Sequence, residues 1–150
     1  MKIRIKFRKW GVMKFIGHLD MMRYFQKAVR RAKIDIRYSE GYSPHQIMSF
    51  AAPLGVGITS DGEYFDIEVN ESMTSKEAVA ALNETMVDGV EVISYVKLPD
   101  KAKTAMSIVA AADYRLSYKE GYESPVSTEE WKRIVKERFL DRSEERRVGK

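Results

Sequence analysis

The sequence predicts an α+β fold: a ferredoxin-like βαββαβ sandwich followed by an incomplete second α/β unit. Three observations carry this. Residues 2–8 alternate strictly between cationic and bulky apolar side chains, as a half-buried strand does. Residues 18–33 repeat apolar side chains at helical spacing. From there to Leu98 the chain reads strand, strand, helix, strand, each bounded by Gly, Pro or a capping residue.

In the first strand Ile3, Ile5 and Phe7 share one face, and Lys2, Arg4, Lys6 and Arg8 the other. A loop through Gly11 follows, with Met13, Phe15 and Ile16 as apolar anchors. HLDMMRYFQKAVRRAK, residues 18–33, is expected to bury Leu19, Met22, Phe25, Val29 and Ala32 and to expose Arg23, Lys27, Arg30 and Arg31. Asp20 lies in the first turn, where the helix dipole favours a negative charge. IDIRY, residues 34–38, reads as the second strand. YSEGYSPHQ, residues 38–46, reads as the connection between the second and third strands, and QIMSFAA as a continuation of extended chain. Pro53, Gly55, Gly57 and Asp61–Gly62 mark turns. EYFDIEVN, residues 63–70, is the third strand, with Phe65, Ile67 and Val69 inward. Thr74 and Glu77 form a capping box ahead of Val79, Leu82 and Met86, and Asp88–Gly89 ends that helix. VEVISYVKL, residues 90–98, is the fourth strand, and Pro99 closes it. Residues 1–98 therefore read as the first unit.

Residues 99–141 read as the start of a second unit. DYRLSYK, residues 113–119, alternates like a strand, with Tyr114, Leu116 and Tyr118 on one face. Ser127 and Glu130 form another capping box, flanked by Val126 and Trp131 as a hydrophobic staple. A lone strand and helix cannot close a sheet, so this unit is expected to be truncated. The last stretch, RSEERRVGK, matches a reading frame of a common sequencing adapter. Residues 142–150 are thus expected to be a non-native tail, with the natural chain differing past Asp141.

Composition narrows the function. There is no cysteine, which excludes a disulfide scaffold, a thiolate metal site and an iron–sulfur cluster held by this chain. No cofactor is expected. No apolar run approaches the roughly 20 residues of a membrane helix, and the N-terminus lacks the apolar core of a signal peptide. A cytoplasmic protein with no membrane contact is the expectation. The net charge is +4, half of it from the tail, so charge alone is poor evidence for nucleic-acid binding.

The basic outer face of the first strand could grip phosphate. In a ferredoxin-like sheet it lies beside Asp66 and Glu68 of the third strand, and cross-strand pairing is the reading preferred here. It carries no aromatics of the kind an RNA-recognition sheet uses for stacking. The first helix, rich in Arg and Lys, offers a second basic face, with RNA or an acidic protein as possible partners. His18, Asp20 and His45 form the one His-containing constellation. They could hold a metal with a further ligand such as Glu40 or Glu63, although each also has an ordinary structural role open to it. No nucleophile elbow or phosphate loop is present.

HLD at 18–20, RRA at 30–32, YSEGYSPH at 38–45 and PLGVGITSDGEYFD at 53–66 together resemble the bacterial radical SAM-linked, or radical SAM-associated, proteins, a domain of unknown function. The resemblance spans about residues 2–141. It implies that His18, Leu19, Asp20, Arg30, Arg31, Tyr38, Ser39, Gly41, Pro44, His45, Pro53, Leu54, Gly55, Glu63 and Asp66 match the family pattern. Gly17, Tyr42, Ser43 and Gln46 depart from it, standing where Ser, Phe, Asn and a second Pro are common. Gly17 should weaken the helix cap, and Gln46 should leave its turn less rigid. The resemblance implies a radical SAM enzyme as partner. The chain, lacking Cys, would then serve as an accessory module rather than as that enzyme. The expected recognition surface is His18, Asp20, Arg30, Arg31, Tyr38, Ser39, Gly41, Pro44, His45, Pro53 and Gly55. The alternative is a small metal-dependent enzyme or metal-binding protein using His18, Asp20 and His45.

Overall fold

A computed structural model of the chain describes residues 1–109, 111–115 and 127–137. The first compact unit, Met1–Ala111, is built on four antiparallel strands: β1 (Lys2–Lys9), β2 (Met48–Phe50), β3 (Ser60–Glu68) and β4 (Val90–Leu98). Their order, β2-β3-β1-β4, is that of a ferredoxin-like sheet. Helices α1 (His18–Arg31) and α2 (Ser75–Glu84) connect β1 to β2 and β3 to β4. A 3-10 turn spans Gly11–Phe15, and the short α3 covers Ala105–Ile108.

The strict alternation of β1 determines which face is buried. Ile3, Ile5 and Phe7 point inward and meet Phe65 and Ile67 of β3, Val92 and Tyr95 of β4, Met21, Phe25, Ala28 and Val29 of α1, and Ala78 and Leu82 of α2. Four phenyl rings tie the layers together. Phe25 of α1 lies 4.7 Å from both Phe7 and Phe65, and Phe50 of β2 stacks on Phe65 at 4.9 Å. Such ring pairs add about 0.5–1.5 kcal/mol each beyond simple burial. The buried stripe of α1 is rotated from the expected one. Met21 and Ala28 are inside, whereas Leu19 is exposed. Phe15, expected as an anchor, is exposed as well.

Three boundaries differ from the sequence reading. Residues 34–38 do not form the second strand. Ile36 donates its N–H to Ile34 O at 2.8 Å, a tight local turn, and the segment meets the end of β3 at one point, through Arg37 N to Glu68 O at 2.7 Å and Asn70 N to Asp35 O at 2.9 Å. Only isolated bridges remain there, Ile36 to Val69 and Tyr38 to Gln46. The edge strand is β2, so the loop 38–46 precedes it instead of joining the second strand to the third. Asp61–Gly62 is not a turn either. It lies inside β3, where the register with β1 slips between Phe7 and Lys9 and makes a bulge. Finally, Pro99 ends β4 but not the compact unit. Arg4 donates to Lys103 O at 2.9 Å and Ala105 N donates to Asp66 at 2.8 Å, so the Lys103–Ala105 stretch is tied to the outer face of the sheet.

The capping box of α2 forms in both directions: Glu77 N donates to Thr74 Oγ1 at 3.2 Å, and Thr74 N donates to Glu77 Oε2 at 3.4 Å. In the second unit, α4 (Thr128–Val135) starts at Ser127, whose hydroxyl accepts from Glu130 N at 3.2 Å. The expected strand 113–119 lies outside the described residues from Leu116 onward, and Val126 and the 142–150 tail lie outside them entirely.

Candidate functional site

The expected recognition residues fall into two groups, both against α1. The first is a small cavity at the end of the sheet, with space for about one water molecule. Lys9, His18, Leu54 and Glu63 line it together with Phe7, Met21, Phe50 and Ala52. His18 opens α1 and sets its ring edge-on to Phe50, centroids 5.4 Å apart. Leu54 comes from the Pro53–Gly55 stretch, which runs past this mouth with Pro53 and Gly55 exposed.

Lys9 is the residue that sequence reasoning missed. It is 1% exposed and donates from Nζ to Ile16 O at 2.6 Å. Position 9 continues the inward phase of positions 3, 5 and 7, so the alternation itself held the signal. An inward Lys is rare because desolvating an ammonium is costly. Burial lowers the Lys9 pKa from its usual range, and the nearby Glu63 carboxylate opposes that shift. Glu63 shows the mirror image. Burial raises its pKa, while the hydroxyl of Ser60, donating at 3.0 Å, and the charge of Lys9 hold it down.

The second group is the loop 38–46. Its ends are pinned twice, by Ser39 N donating to His45 O at 2.8 Å and by His45 N donating to Ser39 Oγ at 3.1 Å. The His45 ring closes the same turn, with Nδ1 3.0 Å from Ser39 Oγ. Gly41 takes φ +119°, a conformation that favours glycine. Gln46, expected to loosen the turn, anchors it: the side chain is buried and donates from Nε2 to Gln26 O of α1 at 3.1 Å. Its Oε1 is buried with no hydrogen-bond partner among the described residues.

Arg23, Lys27, Arg30 and Arg31 are exposed on α1. Arg23 lies 3.5 Å from Asp20, which turns toward solvent and away from the cavity. Among the described residues, no ion pair forms to Lys27, Arg30 or Arg31. The basic row of β1, by contrast, is largely answered. Arg4 makes a two-pronged bond to Asp66 at 2.9 and 3.1 Å, which raises its pKa further. Arg8 lies 3.4 Å from Asp61, and Lys6 sits over the Tyr64 ring. Cross-strand pairing thus accounts for Arg4 through Asp66 and for Arg8 through Asp61, whereas Glu68, the other expected acid, lies 3.6 Å from Arg37 instead.

His18, Asp20 and His45 do not gather: His18 lines the cavity, Asp20 pairs with Arg23, and His45 closes its own loop. Among the described residues, no three His, Cys, Asp or Glu side chains are placed to hold a metal ion. Nor is any described helix long and apolar enough to cross a membrane.

Comparison with curated proteins finds no match. A family model matches residues 2–148, continuing through most of the tail. The chain belongs to the bacterial family described as an uncharacterized protein conserved in bacteria (DUF2344).

Proposed function

We propose that this chain is an accessory binding module with no chemistry of its own, acting with a radical SAM enzyme. The observation that carries the binding role is the pairing of the motif loop with α1. Gln46 fastens a pinned, exposed loop to α1 at Gln26, and Lys27, Arg30 and Arg31 of that helix have no acidic partner among the described residues. A row of unanswered cations on a rigid helix attracts an acidic partner and raises its association rate. The choice of a radical SAM enzyme comes from the motif resemblance alone. Co-purification with the radical SAM protein encoded beside a homologue tests it. Retention at about 50 mM salt and release at about 500 mM is the expected result for a charge-driven contact. No retention at low salt refutes the reading.

A further inference from the structure

The surface just described carries exposed rings as well as charge. Tyr42 is fully exposed, Tyr38 is 45% exposed, and His45 is exposed beside them. A tyrosine ring held wholly in water gains nothing from packing, and the backbone bonds of Ser39 and His45 close the loop without it. The loop that holds these rings is tied to α1 at Gln26. Arg23 and Arg30 lie three residues before and four after Gln26, which places them on the same helical flank. Lys27 and Arg31, one and five residues after Gln26, lie further round the exposed side of the helix.

Exposed aromatic rings next to a cationic row match one chemistry well. Unpaired bases offer flat π-faces for stacking, and their backbone offers phosphates at regular intervals. A duplex, by contrast, hides the base faces. The outer face of the sheet, where other ferredoxin-like domains stack bases, is partly occupied here by the Arg4–Asp66 pair and the Lys103–Ala105 stretch tied to it, and its one exposed ring among the strands, Tyr64, already lies under Lys6. Resting on the binding-module reading, we propose that loop 38–46 and the adjoining flank of α1 bind single-stranded nucleic acid. Tyr42 and Tyr38 stack on bases, and Lys27, Arg30 and Arg31 contact phosphates.

The test is fluorescence anisotropy of the full chain with labelled oligouridine and oligothymidine, each about 20 nucleotides, and a duplex of the same length, at about 50 mM salt. At least one single strand should bind saturably and more tightly than the duplex, and comparing the two shows whether RNA or DNA is preferred. Tyr42→Ala should weaken that binding roughly tenfold, and Tyr42→Phe should stay within about twofold of wild type. Because Tyr42 is fully exposed, these variants leave the fold intact. Arg30→Glu with Arg31→Glu should weaken binding and flatten its salt dependence. No binding of either strand, equal binding of the duplex, or a Tyr42→Ala variant equal to wild type overturns the inference. If the radical SAM protein still co-purifies in a salt-sensitive way while both strands fail, the module reading stands and this inference falls. If neither binds, both fall.

Discussion

Lys9 and Glu63 share a cavity wall, and their charges are linked to folding. The raised pKa of Glu63 means that the folded chain holds this proton more tightly than the unfolded chain. Its stabilising contribution is complete below the ordinary carboxyl value of 4.5 and is lost as pH rises through the raised value. Glu63→Gln should remove that part of the pH dependence, which urea titrations from about pH 4 to pH 8 would measure. An unchanged profile would mean that Glu63 is solvated. Glycines give a second comparison. At Gly89, φ is +110°, and an added Cβ would lie 2.6 Å from Met13 Cγ and 2.8 Å from the backbone oxygen of Trp10. Gly89→Ala should cost more than about 3 kcal/mol. Gly41 has φ +119° but open space around it, so Gly41→Ala should cost only about 1–2 kcal/mol of strain. Chemical denaturation of the two variants would show the difference.

At the scale of elements, caps and ladders explain what the sequence revealed. The Thr74–Glu77 spacing identifies the start of α2 because both halves of the box are local. Thr74→Ala should destabilise by about 1 kcal/mol. Gly17 caps α1 without a side-chain bond, and a Cβ there meets only Val56 Cγ2 at 3.7 Å. Gly17→Ser should therefore stabilise by a few tenths of a kcal/mol up to about 1. The second strand was not legible, because its place at the sheet edge depends on the Ile34–Ile36 turn and on β3. Periodicity sees neither. Residues 99–109 were misplaced for a related reason: their tether is the distant Arg4–Asp66 pair. Asp66→Asn should weaken that tether and speed amide exchange at Ala105 while the core amides of β1 stay protected.

At the scale of the molecule, the ferredoxin-like order was readable because β1, α1, β3, α2 and β4 each carry a period or cap of their own. The candidate site was only half readable. Motif residues such as His18, Gly41 and His45 stand out by type, but which of them meet depends on the packing of α1. That packing sets His18 against the cavity, while His45 stays in its own loop turn and the inward phase of β1 brings in Lys9, which no motif flags. The proposed binding role requires α1 and the loop to act as one exposed surface whose charges serve recognition and not stability. Arg30→Glu combined with Arg31→Glu tests this most directly, with thermal melting and low-salt co-purification of the radical SAM protein measured on the same preparation. The expected result is a stability within about 0.5 kcal/mol of wild type and loss of the partner. Retention of the partner at the wild-type level would contradict it.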